Sequence, residues 1–242
     1  MPKRTMMQTY INSQVKYWQQ QKEKIDTPKI KATDPKESLP FVTISREYGC
    51  GAYEIAKNLA ELLNQDSNQN PPWAAYDKEI LDKIMNDMGI SSSLAKTLTN
   101  SAKKTLTDLL QTSFSKFPSQ VTIYKKLVET ERLLATNGHV IIIGRAGNVI
   151  TRDMEKGYNI RIVADTSWKV ERISSLMNIN KKEAEKLITA KEKDRNLFIK
   201  EYVKFDVTNP QNYHLFINIA RHNTKEVAQI IKTGLITKGL IK

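Results

Sequence analysis

Five short runs of apolar and β-branched residues, at 41–44, 73–76, 139–143, 160–163 and 215–217, are separated by stretches with helical periodicity. Strands that alternate with helices need crossover connections, which are right-handed and lay the strands parallel in one sheet. A parallel sheet is apolar on both faces, so helices must cover both. The spacing therefore predicts an α/β protein of three layers, a mostly parallel sheet with flanking helices. Ile55, Ala56, Leu59, Ala60, Leu62 and Leu63 mark the helix after the first strand, and Ile80, Leu81, Ile84, Met85 and Met88 the helix after the second. Residues 91–137 read as a helical insertion, from Leu94 and Leu98 through Leu133 and Leu134, with Gly138 as the residue that ends it. Asn180 with Glu183, and Asn223 with Glu226, have the spacing of capping boxes and open two further helices.

Residues 1–40 differ in composition from the rest of the chain. They hold four of the eight prolines and no glycine. Tyr10, Ile11, Gln14, Val15 and Trp18 fall at helical spacing, and Pro28, Pro35 and Pro40 then interrupt the chain. The expected division is an N-terminal helical arm and linker over 1–40 and one domain over 41–242. The arm's stripe suits either a contact between subunits in a homo-oligomer or coverage of a sheet edge. A net charge of +12 suits polyanionic partners. That charge is spread along the chain without an RNA-recognition, zinc-finger or zipper signature, so nucleic-acid binding is disfavoured. The most apolar run, at 140–143, is far too short to span a bilayer, and the N-terminus lacks a signal-peptide pattern. No membrane partner is expected. With Cys50 the single cysteine, a reducing, cytoplasmic location is expected.

The segment Thr43-Ile44-Ser45-Arg46-Glu47-Tyr48-Gly49-Cys50-Gly51-Ala52-Tyr53-Glu54-Ile55 reads as strand, glycine-bearing turn and amphipathic helix. Such a turn aims backbone N–H groups and the positive end of a helix dipole at one point, where a phosphate can sit. The full phosphate-loop pattern G-x-x-x-x-G-K-[ST] is not met. With Gly51 as its second glycine, Arg46 holds the first position, Ala52 the lysine position and Tyr53 the hydroxyl position. On pattern alone, a plain strand-to-helix turn and a nucleotide site remain equal readings.

Residues 44–56 resemble the I-S-R-E-Y-G-[SC]-G opening of the cytidylate kinase-like family, a divergent branch of the P-loop nucleoside monophosphate kinases. The resemblance continues in order through Tyr76-Asp77-Lys78-Glu79-Ile80-Leu81, Ile141-Ile142-Ile143-Gly144-Arg145 and Arg161-Ile162-Val163-Ala164. It extends to Trp168-Lys169-Val170-Glu171-Arg172 and Asn209-Pro210-Gln211-Asn212-Tyr213, covering roughly 41–233. It implies a P-loop NTPase fold with a helical insertion and a lid, ATP and Mg2+ as cofactors, and transfer of phosphoryl from ATP to CMP or dCMP. Members of this branch lack the loop lysine too, so other cations must neutralise the moving group.

The loop residues Ser45, Gly49, Cys50, Gly51, Ala52 and Tyr53 are then the expected nucleotide contacts. Arg46, Arg145 and Arg195 are the expected catalytic cations. Gly144-Arg145 resembles the Gly-Arg of the monophosphate site, with Ala146 where an acid is common. Glu192 and Arg195 resemble the acid-x-x-Arg pair of the lid, within a polar helix over 180–204. Arg172 and Asp77 complete the expected substrate contacts, with stacking on Trp168 as an equal alternative for Arg172 and capping of a helix as the alternative role of Asp77. No residue is assigned as a direct Mg2+ ligand, and Glu47 or Asp77 can act only through water. Cys50 reads as a small inert loop residue, and His139, His214 and His222 are scattered. The alternative to a kinase is a P-loop-fold sensor or interaction module that binds nucleotide without phosphorylating it, which Ala52, Tyr53 and Ala146 favour.

Overall fold

The computed structural model describes residues 3–26, 39–65, 70–86, 120–199 and 205–242. Strands β1 (Phe41–Arg46), β2 (Ala74–Tyr76), β3 (Val140–Ile143), β4 (Gly157–Val163) and β5 (Leu215–Asn218) form one parallel sheet in the order β2-β3-β1-β4-β5. All five expected strands are present. β1 runs on to Arg46 because its pairing with β4 continues through Ser45↔Arg161 and Arg46↔Ile162. Arg46 is therefore the last residue of a strand rather than a turn residue.

The helices are α1 (Lys3–Asp26), α2 (Ala52–Gln65), α3 (Lys78–Asn86), α4 (Gln120–Asn137), α5 (Gly147–Ile150), α6 (Thr166–Met177), α7 (Lys181–Phe198) and α8 (Thr224–Thr237). Both expected capping boxes form, Asn180 with Glu183 opening α7 and Asn223 with Glu226 opening α8. Gly138 ends α4 at φ 70°, where its N–H donates to Leu134 O at 3.0 Å. The expected tether around Pro28 and Pro35, Met88, the insertion from 91 to 119 and lid residues 200–204 lie outside the described residues.

Val42, Ile44, Ile141 and Ile142 are fully buried in the central strands, and Ile55, Leu59 and Ala60 of α2 close over them. α8 lies against α2, tied to it by Asn58 Nδ2 donating to Thr224 Oγ1 at 3.0 Å. α3, α4 and α5 share a second small core of Met85, Tyr124, Leu127, Val128 and Ile150. α6 and α7 form a third around Ile173, Ala184 and Ile188.

Helix α1 places Met7, Ile11 and Trp18 in the main core, beside β2. Gln14, also buried, donates from Nε2 to Pro72 O at 2.7 Å and His139 O at 2.8 Å, and accepts from the Tyr76 hydroxyl. A buried amide that satisfies three partners ties the helix to the sheet edge. The arm's stripe therefore covers that edge.

β1 has β3 on one side and β4 on the other, so the chain reverses direction across the sheet here. Open α/β sheets bind ligands outside the carboxyl ends of the strands at such a switch point. The segments that leave β1, β3 and β4 meet at this place.

Candidate functional site

After Arg46 the chain turns through Glu47-Tyr48-Gly49-Cys50-Gly51 into α2. Gly49 (φ 89°) and Gly51 (φ 67°) take left-handed backbone, which side chains disfavour. A Cβ on Gly51 would lie 2.9 Å from Arg172 Nη2 and so would push that side-chain end aside. Arg172 clamps the loop from outside: Nη1 donates to Gly49 O at 3.1 Å and Nη2 to Glu54 Oε1 at 3.2 Å. The Glu47 carboxylate accepts from Lys169 Nζ at 2.7 Å and from the Ala164 N–H at 3.3 Å. Cys50 is buried, and burial with nearby Glu47 pushes its thiol up to about 12, which keeps it protonated and inert. Asp77 caps α3, accepting from the Ile80 N–H at 3.0 Å, and lines the cleft in front of the loop with Ala52 and Tyr53.

A second cavity opens beside this cleft, at the ends of β1, β3 and β4. Four guanidinium groups line it: Arg46, Arg145, Arg161 and Arg195. Arg46 lies across Gly144, where a Cβ would stand 1.5 Å from Arg46 Nη1 and the backbone is at φ 75°. Gly144 is thus required both by conformation and by the arginine that occupies its side-chain space. Withdrawal from water and, after it, the charges of Arg195, Arg161 and Arg145 lower the Arg46 guanidinium to about 9, with Glu192 opposing. Ser45, expected in the phosphate loop, lines this cavity instead and accepts from Arg161 Nη1 at 2.9 Å.

Arg145 donates from Nη2 to Asp82 Oδ1 at 3.0 Å. It and Ala146 take positive φ, 54° and 63°, so three successive residues from Gly144 are left-handed. That backbone is uncommon for residues with a side chain. Arg195 comes from α7, donates to Arg46 O at 3.1 Å and lies 6.0 Å from the Tyr48 ring centroid. Glu192, one turn earlier, is 3.7 Å from Arg195 Nη1 and accepts from the Tyr48 N–H. Helix α7 therefore rests on the loop and the end of β1 through Glu192 and Arg195. Burial holds Arg195 below its ordinary value, and Glu192 partly offsets this.

Two residues here were given no role from the sequence. Arg161 stands with Asn159 as a polar residue in an otherwise apolar strand, and its motif was read only for family likeness. Glu131 sits in the ordinary-looking stretch Glu129-Thr130-Glu131-Arg132 of α4, yet it is 0% exposed. Among the described residues neither of its carboxyl oxygens has a hydrogen-bond partner, and the same holds for Asn148 Nδ2 and Arg145 Nε. Burial raises the Glu131 carboxyl well above its ordinary 4.5, with Arg145 opposing, so the group favours its neutral form. The native state then binds a proton that the unfolded chain releases between pH 4.5 and the folded value. Stability falls as pH rises through that window. Glu131→Gln is expected to remove this component, so that unfolding temperatures of the two proteins diverge progressively above pH 4.5. Parallel Tm-against-pH curves would contradict it.

Arg46 and Arg195 line both the loop's cleft and the arginine cavity, and so stand at the boundary between them. A glycine loop at the N-terminus of α2, at the switch point of a β2-β3-β1-β4-β5 parallel sheet and beside a cavity lined by four arginines, defines a P-loop kinase fold. The model of the cytidylate kinase-like family matches residues 41–221, and the chain belongs to that family. An uncharacterized protein from Eubacterium ventriosum is similar in structure, with a TM-score of 0.62 at 19% identity over 82% of this chain and 99% of that one. Shikimate kinase from Bacteroides thetaiotaomicron aligns with a TM-score of 0.43 at 14% identity, over 81% of this chain and 98% of its own. No curated protein matches the chain. Among the described residues, no helix is long and apolar enough to cross a membrane.

Proposed function

We propose that the protein is an ATP-dependent nucleoside monophosphate kinase that phosphorylates CMP or dCMP. The observation that carries this reading is the sharing of Arg46 and Arg195 between the loop's cleft and the arginine cavity. ATP's phosphates lie at the N-terminus of α2, and the acceptor's phosphate lies in the cavity against Arg145. An acceptor phosphate oxygen then attacks the γ-phosphorus, and the bond from that phosphorus to the oxygen of ADP's β-phosphate breaks. Phosphoryl transfer is mostly positioning and neutralisation of spread charge. Arg46 and Arg195 supply the neutralisation that a loop lysine gives elsewhere, and their planar forks suit phosphate oxygens. With Glu192 on the loop, the lid keeps water from the moving group.

Mg2+ neutralises charge on the donor phosphates when bound, and it characteristically keeps several waters with one or two carboxylates. Glu47, Glu54, Asp77 and Glu79 line the cleft, and among the described residues no three-residue metal cluster forms. The donor set fits an ion held chiefly by phosphate and water, with Asp77 and Glu47 as its outer contacts. A cytoplasmic location accords with this substrate class and with the lone buried Cys50.

Ala52 and Tyr53, in place of lysine and hydroxyl, favour the second reading, a nucleotide sensor without transfer. Incubation with Mg2+-ATP and CMP, dCMP, UMP, AMP or GMP separates the two. Selective diphosphate formation with CMP or dCMP is the expected result. ATP binding without any product would establish the sensor and overturn the kinase.

A further inference from the structure

Arg161 stands in the interior of β4 between Ile160 and Ile162 and is only 5% exposed. Its register partner on β1 is Ser45, whose hydroxyl accepts from Arg161 Nη1 at 2.9 Å. The Tyr213 hydroxyl lies 3.5 Å from the same Ser45 oxygen and donates to Val207 O at 3.1 Å, which seats the serine from the other side. Arg161 Nε is buried without a partner among the described residues. The surrounding charges are also of the wrong sign to steady it, since Arg46 and Arg195 both feel its field.

The carboxylates around the cavity do not balance its guanidiniums. Arg145 has Asp82 and Arg195 has Glu192. Among the described residues, neither Arg46 nor Arg161 forms an ion pair with a carboxylate. Removing a guanidinium from water without a counter-charge is costly, and a strand position such as 161 would serve the core better with an apolar side chain. The four guanidiniums suit an anion bearing about two negative charges, with oxygens able to receive forked N–H donors.

We propose that Arg161, seated by Ser45 and Tyr213, is an anchoring ligand for the phosphate dianion of the acceptor. This rests on the acceptor side of the function proposed above, and it assigns a residue to that side which the family resemblance does not. The site would take inorganic phosphate as its minimal ligand.

The test uses thermal unfolding of the full chain with inorganic phosphate, together with initial rates, for wild type, Arg161→Met and Arg161→Lys. Wild type gains Tm with phosphate, because an anion that binds only the folded state stabilises it. Arg161→Met raises the ligand-free Tm and abolishes the phosphate-dependent gain. It raises the KM for CMP roughly 10- to 100-fold, the range for losing a charged hydrogen bond, and leaves the KM for ATP within about twofold. Arg161→Lys recovers part of the phosphate effect. A purely structural arginine would instead lower the ligand-free Tm of Arg161→Met, and that result overturns the assignment. An equal phosphate gain in wild type and Arg161→Met overturns it too, as does no gain in wild type. The phosphate measurement needs no turnover. A protein that forms no diphosphate therefore refutes the kinase reading while the Tm series still decides the role of Arg161.

Discussion

Arg46→Gln is expected to lower diphosphate formation about 1,000-fold, the lower end of what an arginine contributes when it meets the charge of a transferring phosphoryl group. Arg46 reaches its place because β1 extends two residues beyond the apolar run and because Gly144 has no side chain. Its guanidinium stands between the two cavities among three others, and is already depressed to about 9 by burial and by their charge. A dianion entering the site would relieve that repulsion, so the arrangement is complementary to phosphate. The glutamine variant keeps the stem and removes a repelled charge. Its ligand-free Tm should therefore equal or exceed that of wild type, which separates lost chemistry from lost folding. Arg46→Lys should recover little, because an ammonium does not reproduce the fork. Transfer within tenfold of wild type in the glutamine variant would remove Arg46 from the mechanism.

The largest expected effect on stability lies far from that site. Trp18→Ala should destabilise the protein by about 3–5 kcal/mol, the usual consequence of truncating a fully buried tryptophan. Trp18 is 0% exposed and joins the same core as Phe41, Ile55 and Trp73. In a chain of this length that loss corresponds to a fall in Tm of roughly 10 °C or more. Denaturant unfolding followed by far-UV circular dichroism measures it. A change below about 1 kcal/mol would mean that α1 is a separable arm. A single transition with a large shift would mean that α1 folds with the sheet. Gln14 predicts the second outcome, since its amide answers the carbonyls of Pro72 and His139, which would otherwise lose a buried partner.

Much of the architecture follows from local pattern. Each strand has a short apolar run, β-branched in β1, β3 and β4, and α2 carries its apolar residues on one face. The caps of α7 and α8 are satisfied by residues three positions apart, and Gly49, Gly51 and Gly138 stand where left-handed backbone is needed. Those features depend on neighbours within one helical turn or one β-turn, so a sequence displays them directly. The pairing of Glu192 with Arg195 was legible for the same reason, as an i,i+3 pair on one helix, although its docking on Tyr48 and Arg46 was not.

The sequence by itself determined the α/β alternation, the glycine turn after the first strand and, through ordered motifs, the family. Tertiary structure alone decided which charges meet. Arg46, Arg145, Arg161 and Arg195 come from four elements, and only the parallel register and the lid bring them around one cavity. Register likewise moved Ser45 from the loop to Arg161, and packing of α4 under α5 turned Glu131 from a surface-type residue into a buried neutral acid. The physical reason is common to these cases. Burial and electrostatic coupling depend on distance in space through a medium of low polarity, and neighbours in space here are separated by tens to more than a hundred residues along the chain.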